Sequence, residues 1–303
     1  MKPVPTVIVI TGPTASGKSA LAVDIASRLS TEIISADSRQ IYQGIPIVTA
    51  MPTPEERATV PHHLVDMLPL DAYYSASLFE TDALAIASRL LRERGVAVLC
   101  GGSMMYVDAF CNGIDPLPTV PETIRQTLTQ EWTEKGDDWL RTELLRTDPA
   151  YYARVDLHNL KRVFHAVEIS RTANAPYSSL CTGHVASRPF RILKISLSAP
   201  RELLFSRINA RVDQMLALGL EEEARRVYPL RHLNSLNTVG LKEMFAMFDG
   251  LLKPAEAIER IKKNTRVYAK KQITWFRRDP SIIYKEITEP NLADSVINLY
   301  RGK

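Results

Sequence analysis

The sequence predicts an α/β fold in which a parallel sheet core carries an inserted subdomain of helices. Short apolar runs rich in β-branched residues alternate with stretches of helical spacing in roughly the first hundred residues. A proline-rich stretch then leads into several helical patterns with no strand between them. A strand-like run returns near residue 191, which indicates that the core resumes after the insertion.

The first elements follow one another as strand, loop and helix. Residues 7–10 form a predicted buried strand before Gly12, and apolar residues recur at helical spacing after it. "TEIISAD" is a second short strand that ends at Asp37, and "GVAVLCGGS" is a third. Ligands of parallel sheets bind beyond the carboxyl ends of the strands. We therefore expect three loops to meet in one crevice: residues 11–19, 37–40 and 101–103.

The second half of the pattern sets the predicted domain limits. Prolines at 116, 118 and 121 mark a linker into the insertion, which we place at residues 118–187. Its helical patterns cover residues 123–132, 138–146 and 159–171. The core then comprises residues 1–117 and 188–303, with a strand at 191–198, one long helix or a helix pair at 200–228, and further C-terminal helices.

The composition restricts the class of protein only loosely. The chain has 303 residues and a net charge of +4, which permits an anionic partner without requiring one. Its three cysteines are widely spaced and show no metal-ligand spacing, so we expect no disulfide framework and a reducing, cytoplasmic setting. The N-terminal apolar run is too short for a signal peptide or a membrane span.

The strongest motif is "GPTASGKS", which matches the P-loop pattern G-x-x-x-x-G-K-[ST]. Glycines let backbone N–H groups surround phosphate oxygens, the lysine adds a positive charge, and the serine hydroxyl can bind Mg²⁺. The predicted diphosphate or triphosphate ligands are Gly12, Pro13, Thr14, Ala15, Ser16, Gly17, Lys18 and Ser19. The core is thus P-loop NTPase-like, although a clear Walker B aspartate and a guanine-binding N-K-x-D are both missing.

Seven blocks of sequence, in order, resemble the tRNA dimethylallyltransferases, also called tRNA isopentenyltransferases or the IPP transferase family. The blocks are "GPTASGKS", "ISADSRQIY", "PHHLVD", "YSASLF", "GGSMMY", "NTVGLKEM" and "NTRVYAKKQITWF", and together they span most of the chain. The resemblance implies transfer of a dimethylallyl group from dimethylallyl diphosphate to the exocyclic N6 amine of the adenosine 3′-adjacent to the anticodon in tRNA. The P-loop, with Mg²⁺, would then hold the diphosphate that leaves.

The resemblance also implies roles for individual residues. Asp37 would be the general base that accepts a proton from the amine. Thr14 would place the bridging oxygen of the donor, and Arg211, with Arg207 one turn earlier, would grip the diphosphate. From the residues alone, Asp37 is equally well explained as a cap of the following turn. A solvated helix face is the less favoured alternative for Arg207, and less favoured still for Arg211.

The tRNA would be held by a flipped-base site, by the insertion and by a basic C-terminal helix. Lys262, Arg266 and Lys270 recur every four residues of that helix, whereas Tyr268 and Trp275 are expected to face inward. The tRNA contacts implied by the resemblance are Asp37, Ser38, Arg39, Gln40, Ser103, Arg125, Lys161, Arg162, Val163, Phe164, His165, Lys263, Arg266 and Lys270.

The sequence departs from the family pattern where RNA would be gripped. Pro46, Val48 and Met51 replace the aspartate, glycine and lysine of D-I-G-T-A-K-P. His165 stands for the second arginine of R-x-x-R, and Ser103 for the threonine of G-G-T. The P-loop, Asp37 and Arg211 are unaffected. These departures bear on which tRNAs are recognised rather than on the transfer itself.

Three alternative functions fit this sequence less well. An adenylate isopentenyltransferase would need neither the basic helix nor a large helical insertion. A P-loop small-molecule kinase should turn over ATP and carry an arginine-rich lid, which the sequence does not show. An RNA-binding protein without activity would leave Asp37 beside an intact P-loop unexplained. We expect a monomer.

Overall fold

The computed structural model describes residues 4–183 and 185–302. The chain divides into two compact units. One comprises the described residues up to Asn112 and from Ser187 onward, and the other is Gly113–Ala186. The first holds the sheet and the second is helical, with limits a few residues from the predicted 118–187. That the second unit binds tRNA stays a prediction.

The sheet of the first unit has six strands in the described part of the chain, and every pairing is parallel. The strands are β1 (Thr6–Thr11), β2 (Ile33–Ser35), β3 (His62–His63), β4 (Val96–Cys100), β5 (Arg191–Ser198) and β6 (Ile283–Glu286). Their order across the sheet is β3-β2-β4-β1-β5-β6. The predicted parallel α/β core is therefore confirmed.

The pairing register places the ends of three strands side by side. Cys100 at the end of β4 pairs with Ser35 on one side and with Ile10 on the other. The loops that follow β1, β2 and β4 therefore leave the sheet as neighbours. The strand order also changes direction here, since β2 follows β1 in the chain but lies beyond β4. Such a switch point is where parallel sheets bind ligands.

The helices of the first unit cover both faces of this sheet. They are α1 (Lys18–Arg28), α2 (Pro46–Thr49), α3 (Pro54–Thr59), α4 (Ala76–Arg94), α5 (Met104–Asn112), α10 (Arg201–Ala217), α11 (Leu220–Val227), α12 (Leu241–Phe248), α13 (Pro254–Phe276) and α14 (Leu292–Arg301). Alternate residues of β1 enter different clusters, because successive side chains of a strand point to opposite faces. Val7 and Val9 join a cluster with α4 and α5, whereas Ile8 and Ile10 join one with α1 and α14.

Some predicted elements of the core need correction. The second strand is shorter than "TEIISAD", so Asp37 lies two residues beyond it. Strands β3 and β6 were missed, because one has only two residues and the other, "IYKE", is mostly exposed and has no apolar alternation. The 200–228 segment is a pair of helices, since Gly219 takes φ 97° between α10 and α11.

The helical unit is built on its own small core. Its helices are α6 (Glu122–Thr147), α7 (Pro149–Tyr152), α8 (Leu160–Ala173) and α9 (Tyr177–Leu180). Leu128 and Leu140 of α6 pack against Val163 and Val167 of α8. The first two predicted helices run together as α6, which is interrupted where Gly136 takes φ 81° and ψ −179°. In the part of the chain that the structure describes, no helix has the length and hydropathy to cross a membrane.

Candidate active site

The loop between β1 and α1 has the backbone of an anion site. Gly12 has φ 134°, and a Cβ there would lie 2.8 Å from the carbonyl oxygen of Leu197, so only glycine lets the loop pass β5. Gly17 is the N-cap residue of α1 and has no side chain that could bond the amides of the first turn. The Ser16 and Thr11 hydroxyls are buried without a hydrogen-bond partner among the described residues. The loop thus leaves polar groups for an anionic ligand.

Two cations face this loop from different elements. Lys18 is the first residue of α1, and Arg211 lies in α10. Both line a cavity of about 680 Å³ at the carboxyl edge of the sheet. Burial lowers the pKa of Lys18 to about 8, and the positive charge of Arg211 acts in the same direction. Burial also lowers the pKa of Arg211, and the negative charge of Asp37 opposes that shift. Neither cation forms a salt bridge within the described residues, so a diphosphate would relieve their desolvation.

Asp37 lines the same cavity and uses its two oxygens differently. Oδ1 accepts hydrogen bonds from the backbone N–H groups of Arg39, at 2.9 Å, and Gln40, at 3.3 Å. Asp37 therefore does cap the turn after β2. For Oδ2 the structure records no hydrogen bond within the described residues, and the carboxylate faces the cavity. The turn cap and a chemical role are compatible because each uses a different oxygen.

The three residues after Asp37 each hold a different wall of the cavity. The backbone N–H of Ser38 donates to Ser103 Oγ, at 2.8 Å, in the loop after β4. The Arg39 guanidinium donates to three carbonyl oxygens of residues 234–237. The Gln40 amide donates to two carbonyls at the end of α2. Arg39 and Gln40, predicted to contact the flipped base, would have to exchange these bonds to do so.

Helix α13 supplies the wall opposite Asp37. Its cavity-lining residues are Ile261, Asn264, Thr265, Val267, Tyr268, Lys271 and Gln272. The prediction that Tyr268 packs inward is wrong, because its side chain lies at the cavity and the residue is 37% exposed. Burial raises the pKa of Tyr268 to about 12, and the charge of Asp37 adds to this. The buried Glu243 orients the wall by accepting bonds from Asn264 Nδ2 and from the N–H of Gly240, both at 2.7 Å.

The basic stripe of α13 is only partly available. Lys262 forms a 2.8 Å salt bridge with Asp213 of α10, and the Arg266 guanidinium donates to Asn209 Oδ1 at 2.6 Å. Both therefore fasten α13 to α10. Lys263 and Lys270 are exposed and form no salt bridge within the described residues. These two lysines are charges of the stripe that a tRNA phosphate could reach without displacing Asp213 or Asn209.

Arg207 was predicted to bind the diphosphate together with Arg211, but it lies outside the cavity. It is exposed and does not line the cavity, whereas Arg211 does. Four helical residues advance about 6 Å along the axis, which is enough to carry the earlier arginine past the rim. The predicted two-arginine grip on the diphosphate is thus not formed in the structure, and Lys18 is the second cation.

The predicted contacts in the helical unit have mixed environments. Val163 is fully buried in its core, so the prediction that it touches tRNA is wrong. The Phe164 ring packs against Trp132, with 5.5 Å between ring centroids. His165 Nδ1 and the Arg125 guanidinium both contact the buried Glu168 carboxylate, each at 3.0 Å. Lys161 and Arg162 are exposed and stay candidates for tRNA contact.

The departures at α2 shape the cavity. The buried Glu223 carboxylate accepts from the N–H groups of Ile47 and Val48, both at 2.8 Å, at the start of this helix. Val48 lines the cavity and packs closely on Gly240. A Cβ added at Gly240 would lie 2.5 Å from Cγ2 of Val48. Met51 is buried. Of the three substituted residues, Val48 therefore adds an apolar group to the cavity wall, and Met51 is packed away from solvent.

The fold and the cavity define a class: an α/β protein with a P-loop at the carboxyl edge of its sheet and a carboxylate in the same cavity. The IPP transferase family model matches residues 40–279. The chain is 50% identical to tRNA dimethylallyltransferase 2 of Parabacteroides distasonis over 279 residues, covering 92% of this chain and 93% of that protein. It is 52% identical to tRNA dimethylallyltransferase 2 of Porphyromonas gingivalis over 277 residues, covering 91% and 92%.

Solved structures agree with these relatives. The tRNA isopentenylpyrophosphate transferase of Bacillus halodurans is 32% identical with a TM-score of 0.70, covering 98% of this chain and 95% of that one. A eukaryotic dimethylallyltransferase at 24% identity shares the fold, with a TM-score of 0.83 over 98% of this chain and 80% of that one. The chain belongs to the IPP transferase family, which confirms the predicted resemblance.

Sequence reasoning missed three residues that organise the cavity. Glu243 and Glu223 are buried carboxylates that bind backbone amides, and Gln272 is a buried amide within the basic helix. A signal exists for Glu243, which lies three residues after Gly240 at the start of α12, as in a capping box. No local pattern marks Glu223 or Gln272, because their partners lie 176 and 258 residues away in the chain.

Proposed function

We propose that the cavity transfers a dimethylallyl group from dimethylallyl diphosphate to the exocyclic N6 amine of the adenosine 3′-adjacent to the anticodon in tRNA. The observation that carries the proposal is the meeting of the P-loop, Lys18, Arg211 and the free oxygen of Asp37 in one cavity. Membership of the IPP transferase family, with relatives named tRNA dimethylallyltransferase, favours this reaction over a kinase. A tRNA substrate would also place the work of the protein in the cytoplasm.

The donor would bind with its diphosphate on the P-loop. The uncapped first-turn amides of α1, Lys18 and Arg211 supply hydrogen bonds and positive charge where negative charge develops on the leaving group. Thr14 lies in the same loop and lines the cavity. We assign its hydroxyl to the bridging oxygen of the donor. Because the two cations are already desolvated, little solvent must be reorganised during the reaction.

The acceptor amine would approach from the side of Asp37 and α13. As the bond from N6 to the allylic carbon forms, the bond from that carbon to the bridging oxygen breaks, and its electron pair leaves with diphosphate. The amine proton passes to Asp37, whose Oδ2 is not used by the turn. An aromatic amine is a weak nucleophile because its lone pair is delocalised. Loss of its proton to a positioned base therefore lowers the barrier.

The donor set of the cavity fits Mg²⁺ that arrives with the diphosphate. Mg²⁺ takes oxygen ligands and is usually held by one or two protein groups, substrate phosphates and water. The Ser19 hydroxyl lines the cavity and is the oxygen we assign to it. The described residues contain no group of three or more side chains suited to a resident metal. When bound, the ion would neutralise charge on the departing diphosphate.

The test of the function is a transfer assay with competing acceptors. Dimethylallyl diphosphate, Mg²⁺ and the protein are incubated with unmodified tRNA bearing adenosine 3′ of its anticodon, together with free AMP and ATP. We expect prenylated adenosine in tRNA alone, identified by mass. Prenylated AMP would assign the protein to the free-nucleotide class instead. Phosphoryl transfer from ATP without prenylation would support the kinase alternative.

Lys270 is expected to contribute to tRNA binding through a phosphate contact. Lys270→Gln should weaken binding of an anticodon stem-loop and lower the slope of log affinity against log salt by about one. Titrations at several salt concentrations measure both effects. Lys253→Gln is the matched control, because it makes the same charge change at the exposed residue just before α13, about 25 Å away along the helix axis. Equal slopes for the two variants would remove Lys270 from the interface.

A further inference from the structure

We propose that Gln272 is a positioning residue of the donor site, although it lies within the basic helix expected to bind tRNA. It would act by fixing the P-loop at Thr14 against the loop that follows β4. The proposal rests on the proposed function only in taking the P-loop as the site of the diphosphate.

The contacts of Gln272 join the P-loop to the loop after β4, in addition to the backbone bond from the N–H of Gly101 to the carbonyl oxygen of Ile10 where the two loops begin. Its side chain is almost fully buried, at 2% exposure. Oε1 accepts the backbone N–H of Thr14 at 2.8 Å, and Nε2 donates to the carbonyl oxygen of Gly102 at 2.9 Å. One loop requires an acceptor and the other a donor. A primary amide presents both on one short planar group.

The loop after β4 is shaped to receive this amide. A Cβ at residue 102 would lie 2.3 Å from Gln272 Nε2, a distance at which one group would have to move. Gly102 therefore lets the loop pass directly over the amide. A methyl group at residue 102 would therefore disturb the hydrogen bond between Gln272 Nε2 and the carbonyl oxygen of that residue. The two residues act as one fitted pair across 170 positions of sequence.

Displacement of Gln272 and Gly102 would lower the affinity for the donor diphosphate rather than the affinity for RNA. Thr14 and Gly102 both line the cavity beside Lys18. Without the amide, the N–H of Thr14 loses its partner and the P-loop can shift, and small displacements of positioned groups lower transfer rates strongly. Lys270, by contrast, is exposed and does not line the cavity. Neighbouring positions of α13 should thus serve different substrates.

The experiment measures two affinities in two variants. Gln272→Met keeps the length of the side chain and removes both hydrogen bonds. We expect it to weaken binding of inorganic pyrophosphate with Mg²⁺ by about tenfold, as for one lost bond to a buried amide, and to leave anticodon stem-loop binding unchanged. Lys270→Gln should do the reverse. If Gln272→Met instead weakens RNA binding and spares pyrophosphate, Gln272 belongs to the RNA surface and the proposal is overturned.

A second variant keeps the test decisive if Gln272→Met folds poorly. Gly102→Ala alone should weaken pyrophosphate to a similar extent and spare RNA binding. Where both single variants fold, the double variant should be no weaker than the worse single one. Fully additive losses would overturn the proposal. A merely structural role would lower the melting temperature and both affinities together, which also contradicts it. Pyrophosphate binding requires no transfer, so this result stands even if the assay with tRNA shows none.

Discussion

Replacing Asp37 by asparagine is expected to lower kcat for tRNA prenylation by about 10²–10⁴-fold, the usual contribution of a general base. Asparagine is the informative substitution because its side-chain oxygen can still accept from the N–H groups of Arg39 and Gln40, as Oδ1 of Asp37 does. The turn and the bracing of the cavity walls should survive. Affinities for pyrophosphate and for the anticodon stem-loop should therefore change little, and the loss should fall on kcat.

The control is Asp71→Asn, which makes the same charge change at an exposed position outside the cavity. Single-turnover rates with saturating donor and tRNA separate chemistry from product release. Asp37→Ala should lose both the base and the cap, so it should also lower the melting temperature. If Asp37→Asn retains full single-turnover rates, Asp37 is only the cap of the turn and another group must accept the proton.

The local parts of the site could be predicted because each rests on short-range sequence. The P-loop combines two glycines, a lysine and a serine within eight residues, and the strand before it is a run of four apolar residues. The end of β2 at a cavity follows from the parallel topology, which puts loops after neighbouring strands together. Strand β5 was predicted with its observed limits, since "RILKISLS" has no competing helical spacing.

The long-range parts could not be predicted, because their partners are far apart in the chain. Arg39 looks like a base-contacting residue in the motif, yet its guanidinium fastens residues 234–237. Val163 lies in a basic segment, but helical geometry turns it into the core between Leu128 and Leu144. The spacing of charges on α13 was correct as a helical pattern. It could not reveal that Lys262 pairs with Asp213 on another helix.

The proposed function assigns the positive charges of the first unit to two different substrates. Lys18 and Arg211 stand at the P-loop without carboxylate partners, and Lys263 and Lys270 are exposed further along α13. Asp37 is the one carboxylate among the described residues that line the cavity. In the proposed function, the diphosphate would bind at Lys18 and Arg211 and the RNA backbone at Lys263 and Lys270. Asp37 would then be the anionic group that accepts the proton of the base.

Binding of dimethylallyl diphosphate is expected to take up a proton through Lys18 at alkaline pH. The pKa of Lys18 is lowered to about 8, chiefly by burial, and its ammonium donates to the carbonyl oxygen of Pro13 at 2.7 Å. At pH 9 about nine-tenths of such a group has lost its proton. The negative diphosphate favours the charged form, so binding must return the proton. Affinity should fall by up to about tenfold between pH 7 and pH 9.

Calorimetry in two buffers of different ionisation enthalpy measures this uptake directly. It is performed at constant Mg²⁺ and without tRNA, so that no transfer occurs. We expect uptake near one proton at pH 9 and little at pH 6.5, where Lys18 is already charged.

Lys18→Arg is the matched control, because a guanidinium stays protonated throughout and should abolish the uptake. The donor itself is the same in both proteins, so the difference between them belongs to residue 18. Equal uptake by the two proteins would show that Lys18 is charged before the donor arrives. The desolvated ammonium would then not be the group that couples donor affinity to pH.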